Sequence, residues 1–326
     1  MRILIYGAGA MGLYLSARLA QAGHSVSLKA RGEAIAQAEA GLPVTITSGE
    51  DSQKVSAVET VGEIRSSADS FDLVILATKA WQVPQAAEEA AAVLSPQGRL
   101  LTVQNGVDAP GRAAEHLPAR QVLAGTAVVI AERTGPLAVS LKGPEAHLVV
   151  GRWDRDADVA ESNSRSAEEE ADQAITAALL QAGLLAQWSE DIVTALWKKL
   201  ALVASYGGVG ALSGAPVGIT RAVPQTKALV RNAMLEVFNV GNARGASLEE
   251  QDLEDIMGTF TRKFPESTTS SLQRDLLEGR PSELRDQAGA VVAHAREQGV
   301  DVPIFETIYA SQLPRELQAR AAAERS

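Results

Sequence analysis

Apolar residues in the first hundred positions fall into short continuous runs separated by longer amphipathic ones. "RILIYG" (2–7) has the character of a short buried strand and breaks at glycine. "AMGLYLSARLAQAG" (10–23) carries apolar residues at helical spacing up to a stop at Gly23. "HSVSLKA" (24–30) returns as a strand. After a polar stretch, "FDLVILAT" (71–78) is fully apolar, as in strands that parallel sheets bury on both faces. A helix from Pro84 to Leu94 and a strand "GRLLTVQN" (98–105) complete the pattern. Such alternation predicts a parallel sheet with helices on both sides.

From about 121 the pattern changes to three strand-like runs in "VLAGTAVVIAERTGPLAVSLKGPEAHLVVG". The polar, acidic run 152–172 reads as a solvated connection leading into a helix. Beyond about 188 strand signals stop, and helical spacing dominates 190–206, 224–244, 249–264, 266–278 and 282–298. The glycines of "SYGGVGALSGAPVG" (205–218) are expected to end the first of these helices. The fold class is therefore α/β, with a doubly wound sheet domain over 1–188 and an all-helical domain over 189–326, joined near Trp188.

Composition narrows the function. At 326 residues the length suits about two domains, and 46% apolar with 21% charged residues is ordinary for a globular protein. The net charge of −10 repels nucleic acid and anionic membrane, so neither is expected as a partner. An anionic ligand must then be held by local donors. The absence of cysteine removes disulfides, thiolate catalysis and Cys-ligated zinc, and no metal site is expected. The first apolar run is too short for a signal peptide, and no run of about 20 apolar residues stands out, so a soluble, cytoplasmic protein is expected.

Candidate chemistry begins at "GAGAMG": Gly7, Ala8, Gly9, Ala10, Met11 and Gly12 fit G-x-G-x-x-G between a strand and a helix. In that context Gly7 permits the tight turn, Gly9 admits a pyrophosphate, and Gly12 lets the helix pack on the strand. The helix N-terminus offers unpaired N–H groups to phosphates. About 20 residues on, a protein that binds NAD places an acid at the end of the second strand. Here "SLKAR" has Lys29 and Arg31 instead, which favours a 2′-phosphate and hence NADP(H). Lys79 and Asn105 follow two further strands, at the sheet edge where ligands of such folds sit. Asn105-Gly106 also fits a turn.

"ALWKKLALV" (195–203) raises a separate question, because it sets two lysines inside an apolar helical run. At about 100° per residue, Leu196, Leu200 and Val203 form one stripe, with Lys199 about 60° from its centre and Lys198 about 160° away. Lys198 is then the solvated one, and Lys199 sits at the border of the core. Its amine either snorkels to water or faces a ligand cleft beside the glycine-rich stretch. The four histidines, His24, His116, His147 and His294, lie in no motif that suggests catalysis and read as loop residues.

The glycine loop, "TKAWQ", "QNG", "LWKKL", "TTSSLQRD" and "GRPSELRDQAGAVV" together resemble the ketopantoate reductase (2-dehydropantoate 2-reductase) family over nearly the whole chain. The resemblance implies a Rossmann-type domain that binds NADPH and a helical domain that closes over a small 2-keto acid. It implies that Lys199 is the catalytic lysine and Glu283 the active-site glutamate, which also neighbours the cofactor. Ser271 matches the serine that binds the substrate carboxylate. Arg31, Lys79 and Asn105 match cofactor-site residues, with Asn105 on the substrate side as well. In chemical terms, hydride addition to a ketone puts negative charge on oxygen, which an acid must stabilise or protonate. A partly desolvated ammonium at Lys199 suits that task, with Glu283 to hold it.

Asparagines that many members of the family carry on the substrate side are absent, however: their positions read Val203, Gly207 and Ala288, with a further loss near Val217. The expected activity is NADPH-dependent reduction of 2-dehydropantoate to pantoate, leading to pantothenate. The competing possibilities are reduction of another 2-oxo or 3-oxo acid on the same scaffold and a non-enzymatic NADPH sensor. A homodimer is compatible with the helical domain.

Overall fold

The computed structural model describes residues 1–64, 70–153 and 162–325. The chain forms two compact units, Met1–Gln104 with Ala109–Ile192, and Asn105–Asp108 with Val193–Ser326.

The first unit contains strands β1 (Arg2–Tyr6), β2 (Ser25–Lys29), β3 (Val44–Ser48), β4 (Asp51–Val55), β5 (Val58–Val61) and β6 (Phe71–Leu76). They are followed by β7 (Leu94–Thr102), β8 (Val122–Val128), β9 (Ala131–Gly135), β10 (Ala138–Leu141), β11 (His147–Arg152) and β12 (Leu185–Trp188). Its helices are α1 (Ala10–Gln21), α2 (Glu33–Glu39), α3 (Val83–Ala91), α4 (Ala109–Ala114) and α5 (Ser162–Gln181). Eight strands form one sheet in the order β12-β11-β8-β7-β6-β1-β2-β5, parallel except where β11 meets β8. β1 pairs with β2 on one side and β6 on the other, so strand order reverses at β1, where α/β sheets bind ligands.

Central strands alternate their side chains between two cores. Ile3 and Ile5 of β1 and Leu73 and Ile75 of β6 enter one, whereas Leu4, Val74 and Leu76 enter the other. Burial on both faces explains why these strands read as continuous apolar runs. α1 is buried on nearly all sides because a second sheet, ordered β4-β3-β10-β9, packs against it. The polar stretch before Phe71 therefore holds α2 and β3 to β5, and the region from 121 holds four strands (β8 to β11) rather than three. β4, "DSQKV", is exposed along most of its length and carries little apolar signal.

The acidic run 152–172 differs from the expected solvated connection at both ends. Its middle, 154–161, lies outside the described residues. Asp172 on α5 is only 3% exposed and accepts hydrogen bonds from Arg99 Nε of β7 at 2.8 Å and Arg152 Nε of β11 at 2.5 Å. Two arginines on the sheet face require a carboxylate there, so the charge belongs to the interior.

The second unit is helical: α6 (Ile192–Ser213), α7 (Val217–Ala222), α8 (Pro224–Ala243), α9 (Glu250–Gly258), α10 (Ser271–Leu277), α11 (Ala290–Gln298) and α12 (Pro303–Ala323). Single π turns occupy Thr259–Lys263 and Arg285–Gly289. α6 does not break at its glycines. A Cβ at Gly207 would lie 2.7 Å from Ser270 Oγ, at Gly208 2.8 Å from Ile308, and at Gly210 2.5 Å from Gln273. These glycines are sites of close approach to α12 and to the start of α10, which outweighs their low helix propensity. Among the described residues α6 alone has the length and apolar content of a membrane span, and 72% of that window is buried within the chain, as in a core helix.

Candidate active site

The glycine loop is shaped as a phosphate cradle. Gly7 has φ +115°, and a Cβ on Gly12 would lie 1.8 Å from the Gly7 carbonyl oxygen, so only glycine lets α1 start this close to β1. Gly9 is the N-cap of α1 with no side-chain cap, and the first turn has no acid. The N–H groups and the positive end of the helix dipole are thus left for an anion. Ala8, Ala10 and Met11 are the small or neutral residues between the glycines, and Ala8, Ala10 and Met11 pack at the edge of the core. These features fit a dinucleotide pyrophosphate.

The cations at the strand ends differ in availability. Lys29 donates to the Gly62 carbonyl at 2.5 Å, and its ammonium is 4.0 Å from Glu89. Glu89 also accepts the Tyr6 hydroxyl at 2.7 Å, and burial, then that bond, pushes the Tyr6 pKa up. Arg31, two residues past β2, is exposed. Lys79 follows β6 directly before a 3₁₀ turn, with its ammonium 6.0 Å from the Trp81 ring centroid.

In the second unit α6 is buried on most sides. Between 199 and 211 only Lys199, Val203 and Tyr206 are partly accessible. They fall within about 60° of one another around the helix, forming one open seam. Val203 therefore lies beside Lys199 on that seam, not in the buried stripe with Leu196 and Leu200. Lys198 points away and pairs with Asp252 at 2.6 Å. Burial lowers the Lys199 pKa to about 8, opposed by the negative charge of Glu283. Glu283 is 5% exposed and accepts a hydrogen bond from Asn105 Nδ2 at 3.3 Å.

Asn105 reaches Glu283 because its segment docks on the helical unit at two points. A Cβ on Gly106, at φ +118°, would lie 2.6 Å from the Asp286 carbonyl oxygen, so only glycine fits. Asp108 bonds His294 Nε2 at 2.7 Å. His294 is thus a helical residue with a structural partner, edge-on to Trp197, and His147 opens β11; neither is a loop residue. Ser271 begins α10 and is partly accessible. Its neighbour Ser270 is committed to capping, accepting the Gln273 N–H at 3.0 Å.

The positions that lack the expected asparagines offer no side-chain donor. Ala288 and Val217 are buried, and the space beside Gly207 is taken by Ser270. Tyr206 stands on the same seam with its ring tilted on Phe264 at 5.2 Å, whereas the sequence pattern passed over the residues behind Glu283, Ser282 and Glu316. The serine preceding Glu283 in "RPSEL" was the available sign of the latter.

Residues 3–155 match the family described as Ketopantoate reductase PanE/ApbA, and residues 191–313 match its C-terminal domain. A 2-dehydropantoate 2-reductase of Mesorhizobium japonicum is 30% identical over 331 residues, covering 95% of this chain and 96% of that protein. The crystal structure of a PanE/ApbA family ketopantoate reductase from Ralstonia eutropha JMP134 has a TM-score of 0.82 at 26% identity, covering 98% of this chain and 100% of that one. D-mandelate dehydrogenase, solved with NADH and anilino(oxo)acetate, shares the fold with a TM-score of 0.86 at 19% identity, covering 98% and 99%. With both of its domains matched in order along the chain, this protein belongs to the ketopantoate reductase family of oxidoreductases acting on CH–OH groups.

Proposed function

We propose that the protein reduces 2-dehydropantoate to pantoate with NADPH, the step that feeds pantothenate synthesis. Bound in the glycine loop, the reduced nicotinamide would supply the hydride that adds to the keto carbon. The observation that carries the proposal is the Lys199–Glu283–Asn105 group, a partly buried ammonium sharing one site with a buried carboxylate that an amide orients.

Lys199 donates its proton to the keto oxygen as negative charge develops there. Its lowered pKa, about 8, brings the donor toward working pH while leaving it protonated at neutrality. Glu283 keeps the ammonium charged and accepts a hydrogen bond from the product hydroxyl. Asn105 fixes the Glu283 carboxylate and borders both ligands. Ser271 binds the substrate carboxylate. Arg31 grips the 2′-phosphate, since Lys29 is already committed to Gly62 and Glu89. Lys79 neighbours the cofactor, and the uncapped start of α1 takes the pyrophosphate.

A second reading, reduction of another 2-oxo acid, is favoured by the open seam itself. Val203 presents apolar surface on the seam, where a hydroxylated substrate wants donors. Following NADPH consumption with ketopantoate and a panel of 2-oxo acids separates the two. Turnover of ketopantoate above the panel supports the first, and turnover only of acids without the hydroxyl supports the second. Tight NADPH binding with no turnover of any would refute both. Lys199→Ala should cut turnover about 100-fold or more and leave NADPH affinity intact.

A further inference from the structure

Behind Glu283 lies a closed polar network that the proposed chemistry does not use directly. Ser282, fully buried, donates both its N–H (2.9 Å) and its hydroxyl (2.5 Å) to Glu316 Oε2 on α12. Arg320, one turn further along α12, donates from Nε to Glu316 Oε1 at 2.6 Å and from an Nη to the Ser282 carbonyl at 3.1 Å. The Ser282 hydroxyl in turn accepts the Leu284 N–H at 3.2 Å. Every polar group of Ser282 is therefore engaged, one peptide unit from the active-site glutamate. Beyond it, the Glu283 carbonyl accepts the Gln287 N–H at 2.9 Å, which ties its other side into the π turn.

Glu316 is 2% exposed, and a carboxylate buried this deeply is costly even when paired. An apolar residue would fill the same volume and add stability at less cost, but it would leave the Ser282 backbone free to turn. The network accounts for that cost if its output is a direction. We propose that Glu316, braced by Arg320, is a positioning residue for Glu283: it pins Ser282 and so fixes how the Glu283 carboxylate is presented to Lys199. The proposal rests on the catalytic assignment of Lys199 and Glu283 made above.

A Glu316→Gln variant tests it with two independent readouts. In turnover with the accepted 2-oxo acid, kcat should fall about 10- to 100-fold, the scale of a small misplacement, with KM for NADPH unchanged. Competitive acetylation of Lys199 by acetic anhydride across pH, read by mass spectrometry, should show its reactive amine form appearing at lower pH than in the parent. This follows because a misdirected Glu283 no longer opposes the desolvation of the ammonium. Ser282→Ala, which removes only the hydroxyl, should move both readouts the same way by less, and it decides the matter if Glu316→Gln does not fold.

The control is Glu236→Ala. Glu236 is also a buried carboxylate serving α12, accepting the Ile304 and Phe305 N–H groups at its start, but it does not touch Ser282. It should lower the unfolding temperature and leave the Lys199 profile in place. A folded Glu316→Gln protein with unchanged kcat and Lys199 profile overturns the proposal, as does an equal profile shift in Glu236→Ala. Failure of the parent protein to turn over any 2-oxo acid would instead refute the catalytic assignment, and the acetylation profile would still decide the positioning role.

Discussion

Removing the Glu283 charge tests the proposed proton donor, Lys199, most directly. Burial outweighs the opposing charge of Glu283 and takes Lys199 from 10.5 to about 8, a net change equivalent to about 3 kcal/mol of lost preference for the charged form. A donor with that pKa is about nine-tenths protonated at pH 7 and about one-tenth at pH 9. The kcat/KM for reduction should thus be flat below about pH 8 and fall tenfold per pH above it. On the proposed mechanism, oxidation of the hydroxy acid uses Lys199 as a base and should show the mirror profile. Glu283→Gln keeps the size of the side chain and deletes its charge, so both limbs should move below about pH 8.

The assay is the absorbance of the reduced nicotinamide at constant ionic strength from about pH 6 to about pH 10. Using kcat/KM keeps product release out of the comparison, since it reports the ionisations of free enzyme. Lys199→Ala should remove the limb and cost about 100-fold or more, the usual worth of a positioned acid. A rate that stays flat through pH 9, or a Glu283→Gln profile that moves to higher pH, would refute both the donor assignment and the sign of the Glu283 effect.

Three further outcomes are expected. Arg31→Ala should cut the preference for NADPH over NADH about 10- to 100-fold, the worth of a charge-assisted pair, without changing NADH affinity; an unchanged ratio of Kd values would remove Arg31 from the 2′-phosphate site. Asp172→Asn leaves Arg99 and Arg152 without their shared carboxylate and should destabilise the first unit by about 3–5 kcal/mol in denaturant unfolding, where a loss under about 1 kcal/mol would refute the burial argument. The Asp108 bond raises the His294 pKa against its desolvation, with Arg244 opposing and Glu297 assisting. The folded state thus holds its proton more tightly. The stability it contributes is complete below about pH 6.5 and lost as pH rises through the folded pKa, so His294→Gln should flatten that part of the curve of unfolding temperature against pH.

The parts of the fold legible in the sequence are those where periodicity and burial coincide. β1, β6 and the apolar part of β7 lie inside the sheet and show as largely apolar runs, and the glycine loop sits where the strand-to-helix transition demands it. β3, β4 and β5 escaped notice because they lie outside the main core and alternate weakly. Angle alone separates Lys199 from Lys198, but a single apolar stripe is too simple a description: α6 is buried nearly all round, so its open side, not its apolar side, carries the information. Asn105 could be placed after a strand, yet its bond to Glu283, 178 residues away, depends on Gly106 and the Asp108–His294 contact, which no local pattern encodes.

α12 illustrates the limit and its cause. Its inward positions, Phe305, Ile308, Gln312, Glu316 and Ala319, follow helical spacing, but two of the five are polar and Pro314 interrupts the sequence signal. The polarity at Glu316 is the buried anchor for Ser282, so the substitution that erases the apolar stripe is also the one that organises the loop bearing Glu283. The glycines of α6 act alike. They look like a helix stop, yet they bring α6 against Ile308 of α12 and against Ser270, the residue before Ser271. In both helices the departure from an ordinary amphipathic pattern falls where the backbone of a candidate site residue is held. A packed helix can tolerate glycine or buried charge only if close contact or hydrogen bonding compensates, and here the compensating partners are Ser270, Ile308, Ser282 and Arg320.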